Sequence, residues 1–147
     1  NTPAMVFEGA VALCADNDLA SEEMAAAEEL FPSIGVVEKV PETLIDAVCG
    51  LSGGGPAYVA MFIEAMADGG VACGLTRPMA LECAAQTLIG AARLMLETGR
   101  HPGALKDAVC SPSGATIQGV RALEAGGFRS AVMEAVIAAY EKSAEMK

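Results

Sequence analysis

The 147-residue chain has no tryptophan, only six aromatic residues and a single histidine. With one histidine and no nucleophile elbow, the sequence offers no convincing Ser-His-Asp arrangement for nucleophilic catalysis. Basic residues are also few: nine Lys and Arg stand against 19 Asp and Glu, which gives a formal net charge of −10. Nucleic acids and anionic membranes need concentrated basic side chains, so neither is expected as a partner.

The five cysteines are widely spaced and include no C-x-x-C pair, so neither a metal site nor a disulfide framework is predicted. We expect buried free thiols in a reducing compartment, and therefore a cytoplasmic location. No basic segment precedes an apolar one, and the apolar residues 57–66 and 83–96 are interrupted by charged or polar side chains. The sequence therefore predicts neither a signal peptide nor a membrane span.

Apolar residues make up 53% of the chain, and most of them are small or aliphatic. Small side chains allow helices to approach closely, and an apolar surface with few charges is typical of a chain covered by another subunit. Residues 56–73 are apolar on nearly every side of a helix, with Glu64 and Asp68 as the only charges. This helix is predicted to lie in a large core or between subunits.

The first 41 residues and the remainder of the chain differ in pattern. A strand over residues 6–15, a helix beginning at Ser21 and a strand over 34–40 are typical of the end of a doubly wound sheet. After Pro41, Gly and Pro separate five or six helices and no strand pattern appears. The predicted fold class is mainly α, with domains at 1–41, an α/β remnant, and 42–147, a helical domain. The predicted helices of the second domain cover about residues 42–50, 56–73, 77–98, 103–109, 115–125 and 129–145.

One connection between helices, residues 109–116, is rich in hydroxyl groups and turn formers. The amides that open the following helix have no partner within that helix and carry the positive end of its dipole, so a carboxylate can bind there. Thr116 would add a hydroxyl in the first turn. The pattern alone favours the alternative, an ordinary capped helix start. His101 is expected to cap a helix, Gly53–Gly55 to form a hinge, and Glu42 to be a first-turn acid.

Several segments, taken together, resemble the pyrroline-5-carboxylate reductases. The matching segments run in the family's order along essentially the whole chain, which is more specific than any single motif. They are Asn1-Thr2-Pro3, residues 46–58 (DAVCGLSGGGPAY), residues 64–70 (EAMADGG), residues 101–107 (HPGALKD), residues 111–117 (SPSGATI) and residues 123–129 (LEAGGFR).

This resemblance implies a fold, a reaction and a site. The family joins a Rossmann domain to a helical domain through which subunits form homodimers or higher oligomers, and it reduces a cyclic imine to L-proline with NADPH or NADH. The cofactor is held mainly by an N-terminal domain that this chain lacks. The residues that the resemblance assigns to substrate binding are Glu42, Ser111, Ser113, Gly114, Ala115 and Thr116, with the Thr116 hydroxyl at the ring nitrogen as the catalytic contact. Ala108 and Val109 correspond to cofactor contacts.

Three positions depart from the family pattern. Ser113 replaces a glycine, which is expected to narrow the freedom of the loop backbone. Gly54 replaces a serine and removes a hydroxyl, and Ala108 stands where some members have an asparagine that contacts the cofactor. None of the three removes a group that hydride transfer requires.

Two other functions remain open from the sequence. A different dehydrogenase with a Rossmann half and a helical half would act on a hydroxy acid and usually uses a catalytic lysine, for which Lys106 is the only candidate near the loop. A structural oligomerisation module without catalysis is the second. We expect the chain alone to be inactive, because the G-x-G-x-x-G loop for the pyrophosphate is missing.

Overall fold

The computed structural model describes residues 2–146. Asn1 and Lys147, the outer limits of the two predicted domains, lie outside the described residues. The chain forms two compact units: the first comprises the chain up to Tyr58 together with the segment from Val132 onward, and the second comprises Val59–Ala131. The predicted boundary at residue 41 is a different division of the chain and stays a prediction.

The first unit begins with a small parallel sheet. After a 3-10 turn over Thr2–Val6, strand β1 (Gly9–Cys14) pairs with strand β2 (Gly35–Val40), in a register that joins Gly9 to Gly35 and Cys14 to Val40. Helix α1 (Ser21–Leu30) connects the strands, as parallel pairing requires. The mainly α fold class with a short α/β segment is thus confirmed.

Local sequence sets both ends of helix α1. The Glu23 carboxylate accepts a hydrogen bond from the Ala20 amide at 2.9 Å, and Glu22 and Glu23 lie in the first turn, where the helix dipole favours acids. Pro32 follows at once, in a 3-10 turn over Phe31–Ile34. The predicted start at Ser21 and the predicted stop near Pro32 are both confirmed.

The helix predicted over residues 42–50 is not a uniform α-helix. A 3-10 turn (Glu42–Leu44) leads into helix α2 (Ile45–Val48), and a π-helical turn (Cys49–Gly53) follows. Gly50 allows the last of these, since a Cβ atom there would lie 2.8 Å from the Val136 carbonyl oxygen and 2.9 Å from the Tyr140 nitrogen. The π-turn therefore lies directly against the backbone of the C-terminal helix α7 (Phe128–Glu145).

Two further contacts join α7 to this part of the first unit. Asp46 is buried, with 8% of its surface exposed, and it accepts a hydrogen bond from the Ser143 hydroxyl at 2.9 Å. The Tyr58 hydroxyl donates to the Ala135 carbonyl oxygen at 3.2 Å. Burying a carboxylate is costly without such a partner, so the hydrogen bond between Asp46 and Ser143 fixes the position of the last turns of helix α7.

The second unit is entirely helical. It contains most of helix α3 (Gly55–Ala72), then α4 (Arg77–Thr98), α5 (Pro102–Val109), α6 (Ala115–Ala125) and the first residues of α7. The sequence predicts Thr76 as the cap of α4. Thr76 occupies the N-cap position, but its side chain makes no capping hydrogen bond. Gly99 ends α4 in the left-handed conformation with φ 62°.

The core of the second unit is made of small residues. Only Ala67, Ala80 and Ala84 are buried apolar residues among residues 2–146, at 0%, 3% and 4% exposure. A Cβ atom on Gly70 would lie 3.2 Å from the Ala80 Cβ, which shows how closely helices α3 and α4 approach. The contact between these helices thus rests on short side chains, and the larger apolar side chains remain at the surface.

The exposed apolar area is unusually large for one chain. Met61 and Leu96 are 71% and 72% exposed, and the total accessible surface is 10392 Å². A folded monomer of 14.9 kDa is expected to expose about 7,000 Å². The prediction that another subunit covers this surface is consistent with the difference between these two areas.

The predicted burial of the cysteines is wrong for the single chain. Cys49, Cys73 and Cys83 are exposed, and Cys14 and Cys110 are half-buried.

Helix α4 (Arg77–Thr98) is also long and apolar enough to cross a membrane, judged by length and composition alone, with a mean hydropathy of 1.2. Only 11% of the apolar window is buried in the single chain. The sequence predicts no membrane span here, because Gln86 and Arg93 interrupt the apolar residues. The same properties are found in helices that pack against other subunits, so the absence of a membrane partner stays a prediction.

We expect Gly50→Ala to lower the free energy of unfolding by about 1–3 kcal/mol, because the added methyl group would collide with the backbone of α7. Gly55→Ala is the matched control, since a Cβ atom there meets nothing within 4 Å. Urea denaturation followed by circular dichroism compares the two variants. Equal stability of both would show that the close approach at Gly50 is not required.

Candidate binding loop between helices α5 and α6

Helix α5 positions the first side of the candidate site. His101 occupies its N-cap, and the imidazole Nδ1 accepts a hydrogen bond from the Gly103 amide at 3.0 Å. Pro102 follows at the first helical position, where its missing N–H is not needed. The predicted capping role of His101 is therefore confirmed. This role explains the histidine at this position without a part in acid–base catalysis.

A tight turn connects α5 to α6. The Gly114 amide donates to the Ser111 carbonyl oxygen at 3.0 Å, which closes a four-residue turn. Pro112 occupies the second position of this turn, and Ser113 occupies the third with φ 58°. Proline at the second position and a left-handed residue at the third are typical of a type II turn. The turn thus fixes the direction in which the chain enters α6.

Ser113 adopts a left-handed conformation, which a glycine would adopt at lower cost. A left-handed non-glycine residue costs about 1–2 kcal/mol, because its Cβ lies close to the following carbonyl oxygen. The sequence predicts that Ser113 narrows the conformational freedom of the loop backbone. In the structure, serine keeps the turn but raises the energy of the turn. Only two non-glycine residues among residues 2–146, Phe7 and Ser113, have a positive φ.

Gly114 is required for space rather than for its φ angle. It is the N-cap of α6 with φ −70° and ψ 167°, values that any residue can adopt. A Cβ atom on Gly114 would lie 2.3 Å from the Ser111 hydroxyl oxygen and 3.1 Å from the Ser111 carbonyl oxygen. The glycine therefore leaves space for the Ser111 hydroxyl beside the N-cap of α6.

The start of helix α6 is open to solvent. Its N-cap is a glycine, so no side chain at that position caps the first turn. Ser111, Ser113, Ala115 and Thr116 are all exposed, and Gly114 is half-buried. Amides of a first helical turn carry partial positive charge and need an acceptor. The loop therefore presents amides and hydroxyl groups where a small anion can reach them.

The remaining candidate residues divide between the two units. Ala108 and Val109 form the exposed end of α5, with Val109 65% exposed, immediately before the loop in the second unit. Glu42 is the exposed first residue of its 3-10 turn in the first unit. The contact of Glu42 with a bound imino acid and the contact of Ala108 and Val109 with a cofactor stay predictions.

Two charged side chains near the loop, Lys106 and Asp107, form a pair that the sequence did not predict. Lys106 Nζ lies 2.5 Å from Asp107 Oδ1. This hydrogen bond, together with the charge of the same carboxylate, raises the pKa of Lys106 above its ordinary value. The Asp107 carboxylate therefore favours the protonated form of Lys106.

The first unit contains a separate open groove of about 310 Å³. Its lining is mostly small or apolar, with hydroxyl and thiol groups at one side. The lining residues are Thr2, Ala10, Ala12, Ile45, Val48, Cys49, Ser52 and Gly53. Within residues 2–146 no group of three or more His, Cys, Asp or Glu side chains is placed to hold a metal ion.

Comparison with known proteins identifies the family. The model of the family described as pyrroline-5-carboxylate reductase dimerisation matches residues 42–146. The chain belongs to this family. The matched range contains the α5–α6 loop and all the helices from α2 onward, so the resemblance of residues 111–117 to the family signature rests on more than a short motif.

Curated relatives extend the similarity to the first 41 residues. The chain is 52% identical to a pyrroline-5-carboxylate reductase of Synechocystis, over 99% of this chain and 55% of the relative. It is 48% identical to that of Escherichia coli, over 99% of this chain and 54% of the relative. The chain thus spans about half the length of the curated relatives it matches.

Solved structures agree with the fold. The pyrroline carboxylate reductase of Plasmodium falciparum, solved with NADP bound, matches with a TM-score of 0.93 at 36% identity, over 99% of this chain and 59% of that one. A pyrroline-5-carboxylate reductase from Coxiella burnetii matches with a TM-score of 0.93 at 35% identity, covering all of this chain and 55% of that one.

We expect Ser113→Gly to raise the free energy of unfolding by about 0.5–1 kcal/mol, because glycine relieves the left-handed strain and loses part of the gain to its more flexible unfolded state. Ser130→Gly, at an exposed position of helix α7, should instead lower it by about 0.5 kcal/mol. Thermal unfolding of both variants measures the difference, and destabilisation by Ser113→Gly would contradict the strain.

Proposed function

We propose that this chain is the dimerisation and substrate-binding part of a pyrroline-5-carboxylate reductase. The full enzyme reduces 1-pyrroline-5-carboxylate to L-proline, the last step of proline biosynthesis, with NAD(P)H as the hydride donor. The observation that carries the proposal is the start of α6, which follows the Ser111–Gly114 turn, has no side-chain cap and is made of exposed residues. The relatives that are 52% and 48% identical to this chain are named pyrroline-5-carboxylate reductases, and these names support the reaction.

In this proposal the loop binds the carboxylate of the imino acid. Ser111 and Ser113 supply hydroxyl groups and Ala115 supplies a backbone amide, while Gly114, whose own amide closes the turn, lines the loop without a side chain. The helix dipole favours the negative charge. Thr116, one residue further, places its hydroxyl toward the ring nitrogen, where it stabilises the charge that changes during reduction. The family resemblance also assigns Glu42, a residue of the first unit, to substrate binding. The chemistry needs positioning rather than a strong acid–base pair.

A nicotinamide cofactor, when bound, supplies the hydride. The residues present fit only a small part of such a group: Ala108 and the exposed Val109 offer an apolar surface beside the substrate loop. The Plasmodium structure contains NADP, which supports NADPH as the donor. The sequence of this chain contains no G-x-G-x-x-G loop for the pyrophosphate. The cofactor is therefore held mainly by a nucleotide-binding half, and this chain alone is inactive.

The helical part also forms the subunit contact in this proposal. The family is named for dimerisation, and the three-alanine core with its large exposed apolar area requires a covering partner. A homodimer or a higher homo-oligomer provides that cover. A purely structural oligomerisation module is the second candidate, because the same exposed surface favours it for the isolated chain. The protein acts in the cytoplasm on a small molecule, without nucleic acid or membrane as a partner.

A titration with pyrrole-2-carboxylate, a planar cyclic carboxylate, tests the loop directly. We expect the amide resonances of Ala115 and Thr116 to shift in NMR spectra of this chain. Gly114→Ala should weaken binding at least tenfold, because the methyl group would displace the Ser111 side chain. Gly119→Ala is the matched control on the same helix, since its Cβ meets nothing within 4 Å. Shifts confined to other residues would contradict the assignment of the loop.

Steady-state kinetics of the full-length enzyme test the role of Thr116. Thr116→Val removes the hydroxyl while keeping the shape, and it should lower kcat about tenfold through the lost hydrogen bond. Thr116→Ser keeps the hydroxyl and should retain most of the activity. A wild-type enzyme that reduces hydroxy-acid precursors but not pyrroline-5-carboxylate would favour the other dehydrogenase class. Turnover by this chain alone would contradict its predicted inactivity.

A further inference from the structure

The charge of this chain is distributed very unevenly. Residues 99–131, which contain α5, the candidate loop and α6, carry four basic and two acidic side chains. The rest of the chain carries five basic and 17 acidic side chains. A chain with a net charge of −10 repels small anions over most of its surface. Residues 99–131 therefore have a positive balance of two charges, and they contain the candidate loop.

Both acids of this stretch are already paired with basic neighbours. Asp107 pairs with Lys106 at 2.5 Å, and Glu124 pairs with Arg129 at 2.7 Å. These pairs are nearly neutral at a distance and contribute little to the field around the loop. The positive balance of the stretch therefore comes from its other two basic residues, Arg100 and Arg121.

Arg100 and Arg121 lie on opposite sides of the loop along the chain. Arg100 immediately precedes the N-cap of α5 and donates to the Ala104 carbonyl oxygen at 3.4 Å, a contact that leaves its charge uncompensated. Arg121 is exposed in helix α6. No carboxylate among residues 2–146 forms an ion pair with either guanidinium.

The geometry of α6 brings the Arg121 charge toward the loop. Arg121 follows Thr116 by five residues, or about 7.5 Å along the helix axis. Side chains on a helix lean toward its N-terminus, so the guanidinium is displaced from its own backbone toward the first turn. Its field therefore adds to that of the first-turn amides, which carry positive charge at the same end.

We propose that Arg100 and Arg121 steer the anionic substrate to the α5–α6 loop of an otherwise acidic protein. The inference rests on the proposed function, because it assumes that the carboxylate binds at this loop. The two arginines act during the approach of the substrate, not in the chemical step. They therefore affect kcat/KM and leave kcat unchanged, and their effect disappears when salt screens the charges.

The size of the effect follows from distance. A single exposed charge about 10 Å from the carboxylate in water changes its local concentration by about twofold. Removing the Arg121 charge should therefore lower kcat/KM about twofold at low ionic strength, and removing both charges should lower it further. Arg121→Glu, which reverses the charge, should lower it about fourfold alone. Arg121→Lys, which keeps the charge, should retain the wild-type value.

The test measures kcat and kcat/KM of the full-length enzyme for pyrroline-5-carboxylate at about 10 mM and at about 500 mM salt, where the Debye length falls from about 30 Å to about 4 Å. The variants are Arg100→Gln, Arg121→Gln and their double variant. Lys142→Gln is the matched control, because it removes one exposed basic residue of helix α7, paired with Glu145, outside the cationic stretch. Circular dichroism checks that each variant is folded.

The expected result is a loss of kcat/KM in the arginine variants at low salt only, with Lys142→Gln near the wild-type value. Equal loss in Lys142→Gln, or a loss that persists at high salt, would overturn the steering role while leaving the proposed reaction intact. A wild-type enzyme that does not reduce pyrroline-5-carboxylate would overturn the proposed function itself, and the steering role with it.

Discussion

The packing of helix on helix through alanine and glycine governs the rest of this structure. Gly50 brings the π-turn against the backbone of α7, and Gly70 brings α3 against Ala80. Short side chains allow these close approaches but bury little apolar area per residue, so three alanines form the buried core. The larger apolar side chains remain at the surface of the single chain.

The candidate site depends on a different kind of contact, the turn before α6. Its geometry is fixed by three neighbouring residues: proline at the second position, a left-handed serine at the third, and a glycine that leaves space for the Ser111 side chain. The backbone hydrogen bond between Gly114 and Ser111 closes this turn, so residues of the loop themselves set the direction in which the chain enters α6.

Much of this fold could be predicted because its signals are local. The limits of α6 follow from Gly114 before it and Gly126 after it, and Gly99 marks the end of α4. The π-turn over Cys49–Gly53 could not be predicted, since it depends on how residues of α7, about 90 positions later, approach Gly50. The exposure of the cysteines was also missed, because composition indicates which residues tend to be buried but not whether one chain buries them alone.

The candidate site, like the fold, could be predicted from the sequence only in part. The dense hydroxyl and turn residues of 111–116 pointed to the loop, and the family resemblance gave the residues their roles. The strain at Ser113 and the space required at Gly114 are properties of a folded backbone, and the sequence pattern does not contain them. Whether Glu42 contributes to the same site is a question of contacts distant in sequence, which no local pattern answers.

The position of the aromatic residues has a practical consequence for spectroscopy. The chain has no tryptophan, and its two tyrosines, Tyr58 and Tyr140, both belong to the first compact unit. Tyrosine emission therefore reports on the surroundings of the first unit only. The all-helical second unit, which contains the candidate loop, has no tyrosine, and its melting has to be followed through peptide absorption or an introduced fluorophore.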